Sequence, residues 1–368
     1  MPTTDADERL MSQALRLALR GQGEASPNPM VGAVIVSGEA VVGAGYHRGP
    51  GTKHAEIVAL EQAGEKARGA MMYLTLEPCT HHGRTPPCAP RVCEASLARV
   101  VVASEDPNPK VAGAGIEALR QAGIEVEAGL LREQENRLNE AYRKYMTTGR
   151  PFVTLKIAMS LDGKIATSTG ESRWITGERA RAMAHRMRRN SNAVMVGIGT
   201  VLADNPALTV RHGRARRQPL RVVVDSEART PRSAKVIHGG DPPGLIAVTD
   251  RARGEAVEAL RREGAEVIAL PSREGRVDLA ALLEELGRRE VAALLVEGGG
   301  ELVASFIEQD LGDKIVVFIA PKIIGGAEAP TAVAGRGVEA IAEAWPVADM
   351  RCRRIGEDLV IEGYLHSA

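Results

Sequence analysis

The sequence predicts an α/β protein made of two domains, and three observations carry the prediction. Short apolar runs such as "MVGAVIV", "MMYLTL", "RVVVAS", "LRVVVDS" and "AALLVEGGG" alternate with charged helical stretches along the chain. The alternation breaks at "MTTGRPF", where Gly149 and Pro151 follow a long charged helix, and restarts with "FVTLKIAM". A length of 368 residues suits about two domains, each with an ordinary core. The expected domains are residues 1–147 and 148–368.

In the first domain, "MPTTDADERLMSQALRLALR" reads as an amphipathic helix, with Met11, Ala14, Leu15 and Ala18 at helical spacing. It lacks the uninterrupted apolar core of a secretion signal. "MVGAVIV" and "AVVGAGYH" look like paired strands around "SGEA". A helix from about Lys53 to Ala67 follows, then "MMYLTL", a helix from about Cys88 to Ala98, and "RVVVAS". A helix near Ala114–Gln121, the strand "IEVEAG" and a helix to about Tyr145 complete the domain. Strands separated by helices imply a largely parallel sheet with helices on its faces.

The second domain repeats the rhythm with "NAVMVGIG", "LRVVVDS", "GLIAVTD", a helix near Arg251–Arg262, "AEVIALP", a helix near Leu279–Arg289 and "AALLVEGGG". "DKIVVFIAPKIIGG" and "DLVIEGYLH" read as closing antiparallel strands. There is no internal repeat and no low-complexity segment.

Composition narrows the function. Basic and acidic residues balance at 47 each, so no overall field draws the chain to nucleic acid or to an anionic membrane. No apolar run reaches the roughly 18 residues of a membrane span. The chain therefore reads as cytoplasmic, where thiols stay reduced, and a Cys79–Cys88 disulfide is the minor reading. Cys93 and Cys352 have no partner pattern and are expected to be buried small apolar residues.

Two cysteines and three histidines crowd into "HAE…EPCTHHGRTPPC". His54, Cys79 and Cys88 supply two thiolates and an imidazole, a donor set that zinc takes while leaving one position for water. His54 and Glu56, two apart, can converge only at the first turn of a helix. Cys88 opens a helix, where free amides favour a thiolate. A zinc ion there lowers the pKa of water towards neutrality, and Glu56 is placed to take the proton, pass it to a ring nitrogen and deliver one to leaving ammonia. Zinc deaminases show His-x-Glu followed by Pro-Cys-x-x-Cys; here eight residues separate the cysteines instead. The competing reading is a closed structural site with His81 or His82 as fourth ligand and Glu56 as a surface carboxylate.

In the second domain, Gly298, Gly299 and Gly300 of "VEGGGELVASFIE" would let a phosphate approach a helix N-terminus, although Gly-x-Gly-x-x-Gly is absent. Trp174, in a Gly/Ser-rich loop, reads by itself as a packing plug. "VMVGIGTVLADNPALTVR" reads as a strand running into a polar loop. Arg188 and Arg211 could clamp a phosphate, while "AHRMRRN" and "RHGRARR" otherwise read as solvated basic faces.

The long insert "PCTHHGRTPPC", together with "SPNPMVGAVIV", "GYHRGPGTKHAE" and "DPNP", resembles the bifunctional riboflavin-biosynthesis deaminase/reductase family over nearly the whole chain. The resemblance implies a cytidine-deaminase-like three-layer α/β/α domain followed by a dihydrofolate-reductase-like α/β domain. It implies zinc on His54, Cys79 and Cys88, and Glu56 as proton carrier. Asn28, His47, Arg84, Asp106 and Asn108 are then expected around a pyrimidine and its ribosyl phosphate, with Arg84 and His47 suiting the phosphate. For NADPH it implies contacts at Ala158, Trp174, Thr200, Asp204 and Ser226 and along Gly299, Gly300, Glu301, Leu302, Val303, Ala304 and Ser305. For the reductase substrate it implies Ser172, Arg188, Leu208, Arg211 and Glu297. Lys156 and Asp162 are nearby titratable groups for the proton that reduction requires.

The expected activity is removal of the 2-amino group from 2,5-diamino-6-(ribosylamino)pyrimidinone 5′-phosphate, then NADPH-dependent reduction of its ribosyl group to ribityl. The partners implied are a small-molecule substrate and further copies of the chain, with no nucleic acid and no membrane. The rival is a zinc deaminase of another nucleotide or of nucleic acid, joined to a non-catalytic reductase-like domain. A nucleic-acid deaminase would need a basic, aromatic-bearing groove, against which stand the neutral charge balance and an aromatic content of 3%.

Overall fold

The computed structural model describes residues 4–83, 85–109, 111–211 and 217–366. The chain divides into two compact units, Met1–Gly149 and Arg150–Ala368.

The first unit runs α1 (Asp5–Ala18), β1 (Gly32–Ser37), β2 (Ala40–Tyr46), α2 (Ala55–Ala63), β3 (Met71–Leu76), α3 (Ala89–Glu94), β4 (Arg99–Ser104), α4 (Ala114–Gln121), β5 (Glu125–Ala128), α5 (Arg132–Leu138) and α6 (Glu140–Thr148). Thr4 caps α1 in a capping box: its hydroxyl accepts the Asp7 N–H, and Asp7 Oδ2 accepts the Thr4 N–H. The sheet order is β2-β1-β3-β4-β5. Only β3, β4 and β5 pair in parallel; β2, β1 and β3 are antiparallel, so the sheet is mixed rather than largely parallel.

Both faces of this sheet are covered, because side chains alternate along buried strands. Val34, Val36, Tyr73, Val101 and Ala103 face α1 through Met11 and Ala14. Ala33, Ile35, Met72, Leu74, Val100 and Val102 face the other way, packing with Ala55 and Ala59 of α2, Val92 of α3 and Leu119 of α4. That is the three-layer α/β/α arrangement. The glycines of "AVVGAGY" serve it: a Cβ at Gly45 would lie 2.4 Å from the Ala55 carbonyl oxygen, so only glycine lets α2 sit this close to β2. The helix expected to run to Ala98 ends at Glu94, and the last expected helix is two short ones meeting at Asn139.

The second unit runs β6 (Phe152–Ser160), α7 (Glu178–Asn190), β7 (Ala193–Gly197), α8 (Ile198–Asp204), β8 (Leu220–Val224), β9 (Leu245–Val248), α9 (Gly254–Arg262), β10 (Glu266–Ala269), β11 (Ser272–Arg273), β12 (Arg276–Val277), α10 (Leu279–Arg288), β13 (Ala293–Val296), α11 (Gly300–Glu308), β14 (Lys314–Ala320), β15 (Ala348–Ile355) and β16 (Asp358–Tyr364). Nine strands form one sheet in the order β10-β9-β8-β7-β13-β6-β14-β16-β15. From β10 to β14 all neighbours are parallel; β16 pairs antiparallel with β14 and with β15. β14 and β16 are thus the antiparallel closing pair expected, with β14 also joined in parallel to β6. The first strand, β6, lies between β13 and β14, while β7 to β10 extend away on the far side of β13. The carboxyl ends of β6, β7 and β13, where the order reverses, are where an open α/β sheet holds its ligands.

"AHRMRRN" lies in α7, whose Ala180, Met183 and Met187 pack on Val316, Phe318 and Val360 while Arg186 is exposed. Two expectations need correction here. The polar loop after β7 begins instead as the helix α8, ended by Asn205 in the left-handed region (φ 44°). Cys352 is exposed on β15, not buried, and Cys93 is half-buried.

Candidate active sites

His54 precedes α2 in extended backbone, and Glu56 lies in the first turn, which is how residues two apart come to point at one place. Cys79 follows β3, and Cys88 stands at the N-terminus of α3. The ligand atoms of His54, Cys79 and Cys88 all lie within 4.8 Å of one another. His54 Nδ1 is 3.0 Å from Cys88 Sγ and 3.6 Å from Cys79 Sγ. Its Nε2 is 3.0 Å from Thr85 Oγ1, so Nε2–H donates to Thr85 and Nδ1 is left to a cation. Contact with the Cys88 thiol, and then with the His54 ring, drives the Cys79 thiol well below its ordinary range. One imidazole nitrogen and two thiols in this cluster fit zinc. His81 and His82 stand outside it.

Glu56 is 3% exposed, and its Oε2 has no hydrogen-bond partner. Burial raises its carboxyl to about 7. A surface carboxylate is thereby ruled out: this is a buried carboxyl beside the Cys88 thiol.

His47 is buried, with its ring edge-on to His54 at 5.0 Å between centroids. Its Nδ1 lies 3.3 Å from the Lys53 carbonyl oxygen and its Nε2 3.0 Å from Asn28 Nδ2, so the ring donates to Lys53 and accepts from the Asn28 amide. Burial lowers its pKa. His47 holds the Asn28 amide beside the cluster of His54, Cys79 and Cys88. Asp106 is buried and accepts from the Asn108 N–H at 2.9 Å and the Tyr142 hydroxyl at 2.8 Å. Arg84 lies outside the described residues.

Sequence reading missed the groups that set this site's shape. Thr85 orients His54. Glu77 accepts the N–H groups of Asp106 and Gly113, each at 2.8 Å. Asn139 accepts the Met30 N–H at 2.8 Å and donates to the Met30 carbonyl at 2.9 Å, clamping the loop that carries Asn28. Only Glu77 left a signal, as an acid adjoining the Pro-Cys pair.

In the second unit, Glu297 stands at the carboxyl end of β13. Arg188 of α7 grips it with two bonds, Nε to Oε1 at 2.6 Å and Nη2 to Oε2 at 2.9 Å, and Lys156 Nζ lies 3.7 Å from Oε2. Burial raises the Glu297 carboxyl, but Arg188 and Lys156 outweigh it and hold it at about 2. Arg188 is thus paired with a buried carboxylate. Arg211 is exposed. Hydrogen bonds from the Ser160 hydroxyl and the Gly325 and Ile324 amides hold Asp162 at about 2, a poor proton donor.

The Ser172 hydroxyl donates to Asp204 Oδ1 at 2.9 Å, joining two expected contacts. Trp174 is 62% exposed with the Arg181 guanidinium 4.6 Å from its ring centroid, so it is no packing plug. At Gly299 a Cβ would find only Thr200 Oγ1, at 3.9 Å, which leaves the α11 N-terminus open to close approach. Ala158 is half-buried on β6 opposite Phe318. Leu208, Val303 and Ala304 turn their side chains into the core and can offer a ligand only backbone. Ser226, Glu301, Leu302 and Ser305 line a cleft of about 860 Å³, a volume within the usual range for ligand sites and suited to part of a dinucleotide.

A zinc-dependent deaminase joined to a nicotinamide-dependent reductase is the class that this fold and these two sites define. Residues 4–104 match the family model for the cytidine and deoxycytidylate deaminase zinc-binding region, and residues 151–361 match the RibD C-terminal domain. The chain belongs to the RibD family of riboflavin biosynthesis proteins, bifunctional enzymes with a zinc deaminase and an NADPH-dependent reductase. It is 44% identical to the riboflavin biosynthesis protein RibD of Aquifex aeolicus over 97% of this chain and 98% of that one. The RibD of Escherichia coli is 40% identical over 96% and 98%. The solved Acinetobacter baumannii RibD aligns at a TM-score of 0.87 and 38% identity, covering 98% of both chains. A Thermotoga maritima structure described as a diaminohydroxyphosphoribosylaminopyrimidine deaminase/5-amino-6-(5-phosphoribosylamino)uracil reductase aligns at 0.84 and 34%, again over 98% of both.

Proposed function

We propose that residues 1–147 remove the 2-amino group of 2,5-diamino-6-(ribosylamino)pyrimidinone 5′-phosphate, and that residues 148–368 then reduce the ribosyl group of the product to ribityl. The observation that carries the first step is the buried Glu56, with one oxygen unpartnered, beside the cluster of His54, Cys79 and Cys88.

Zinc held by those three residues supplies Lewis acidity that brings a water molecule's pKa towards neutrality. Glu56, at about 7, can accept a proton from water, pass it to the ring nitrogen next to the amino-bearing carbon, and give one to the departing amine as ammonia leaves. The Asn28 amide, held by His47, and Asn108, held through Asp106, offer hydrogen bonds to the ring and ribose edges.

NADPH supplies the hydride for C1′ in the second step. Glu297, kept ionised by Arg188 and Lys156, accepts hydrogen bonds from the sugar hydroxyls. Gly299 at the open α11 N-terminus receives a cofactor phosphate. Arg211, exposed, is offered to the substrate phosphate. The reading places the enzyme in the cytoplasm, where the Cys79 and Cys88 thiols stay reduced for the metal, and takes its working form as a homo-oligomer.

The test is mass spectrometry of the products from zinc-loaded protein with that diaminopyrimidine. Without NADPH the product should be the deaminated uracil; with NADPH it should also be reduced. Deamination alone in both tubes would remove the reductase assignment, and no reaction in either would remove the substrate.

A further inference from the structure

NADPH and NADH differ by one phosphate on the adenosine ribose. The cleft beside β8 carries the observations that decide between them. Among the residues lining it are Ser226, Arg229, Arg273, Arg276 and Glu301. It opens beside the α11 N-terminus, so a dinucleotide whose central phosphates meet Gly299 has its adenosine half here.

Sites that select NADH commonly place an acid at the end of such a strand to bind the ribose 2′-hydroxyl, and that same charge repels a 2′-phosphate. Here the acid, Asp225, is withdrawn. It is fully buried, and its Oδ2 accepts both the N–H and the hydroxyl of Thr230 at 2.7 Å. The cleft receives Ser226 instead.

Ser226 also anchors the arginines. Its Oγ accepts the Val277 N–H at 3.1 Å, which ties the β11–β12 hairpin to the end of β8 and leaves the hydroxyl hydrogen free to donate. The hairpin brings Arg273 and Arg276 to the same cleft. Arg276 is only loosely paired, 3.4 Å from Glu301 with both side chains about two-thirds exposed, so a phosphate can displace that partner. Arg229 leans on Asp225 at 3.7 Å. Arg273 is exposed and has no ion pair among the described residues. A phosphate monoester brings about two negative charges and oxygens that match a guanidinium fork.

We propose that Arg273, assisted by Arg276 and the Ser226 hydroxyl, is the subsite that binds the 2′-phosphate and selects NADPH over NADH. This rests on the reductase reading above.

The test is calorimetric titration of the full-length protein and its Arg273→Ala variant with 2′,5′-ADP, 5′-AMP and NADPH, alongside steady-state KM values for NADPH and NADH. The wild type should bind 2′,5′-ADP more tightly than 5′-AMP. Arg273→Ala should weaken 2′,5′-ADP by about 10- to 100-fold, the worth of a hydrogen bond to a charged group, and leave 5′-AMP and the KM for NADH unchanged. Arg276→Ala should have a smaller effect of the same kind. Equal weakening of both nucleotides, or a wild type that binds them equally while binding NADPH, overturns the subsite alone. A wild type that binds no NADPH overturns the reductase reading with it.

Discussion

Glu77 is not among the metal-ligating residues, yet it should control how the deaminase site binds. It is 3% exposed, two residues before Cys79. Its Oε1 accepts the Asp106 and Gly113 N–H groups at 2.8 Å, and Oε2 the Ile116 N–H at 3.4 Å. One carboxylate thus ties the metal loop to the loop bearing Asp106 and Asn108. In Glu77→Ala the two short-bonded amides lose their acceptor, at about 1–3 kcal/mol each, and the loop should loosen. In Glu77→Gln the amide oxygen can keep both short bonds, but the NH2 group then faces the Ile116 N–H, a conflict of about 1–2 kcal/mol. Spread over a loop that must be ordered to bind, that is roughly a tenfold rise in KM for deamination. The kcat should stay within about threefold, because Glu56 and the metal ligands are untouched. The assay is steady-state deamination by both variants, with zinc content measured and the reductase followed on deaminated substrate supplied separately. A wild-type KM in Glu77→Gln, or a loss that tracks missing zinc, would refute the reasoning.

Glu56→Gln should lower deamination by about 10²–10⁴-fold with zinc content unchanged, read by product analysis and metal assay, and reduction should continue. Removing the metal with a chelator should abolish deamination and spare reduction, with zinc restoring the activity. Arg188→Ala takes away the main charge that holds Glu297 at about 2, so its pKa should climb and the acid limb of the reductase pH profile should move up by about one unit or more. Asp7 sits at about 2 because the Tyr73 hydroxyl, Thr4 and Arg99 outweigh the upward pull of burial. A carboxyl depressed on folding stabilises above its unfolded pKa and loses that effect as pH falls through the folded one. Denaturant melts should therefore weaken between about pH 4 and 2, by at most about 2 kcal/mol, and Asp7→Asn should flatten that slope.

What could be read from the residues was whatever chemistry or periodicity writes locally. The zinc cluster was legible because few residue types bind zinc, and His54, Cys79 and Cys88 each adjoin an element boundary that a short motif marks. α1 was legible because Met11, Ala14 and Ala18 keep helical spacing and are all buried. α7 also carried its stripe, Ala180, Met183 and Met187, but as many arginines as apolar residues are interleaved with it and hide it. β15 could not be read, since most of its residues are exposed and its pairing comes from β16 alone. The clamps were unreadable for another reason: Asn139 meets Met30 across 109 residues and Tyr142 meets Asp106 across 36, and no local pattern encodes such a meeting.

Glu56 and Glu297 show how one residue type meets two different environments in one chain. Both side chains are nearly removed from water, so burial pushes both carboxyls upward. What differs is the counter-charge. Glu56 has an unpartnered oxygen and settles at about 7, where gaining and losing a proton are both cheap. Glu297 lies in the bidentate grip of Arg188 with Lys156 behind it, which holds its carboxyl well below the ordinary range. The first environment suits a step that moves protons between water, ring nitrogen and ammonia. The second suits a step in which a fixed negative charge must hold sugar hydroxyls while hydride arrives from elsewhere. Environments that push like groups apart in pKa are the pattern by which two carboxyls take different roles, and the roles proposed for Glu56 and Glu297 follow that pattern.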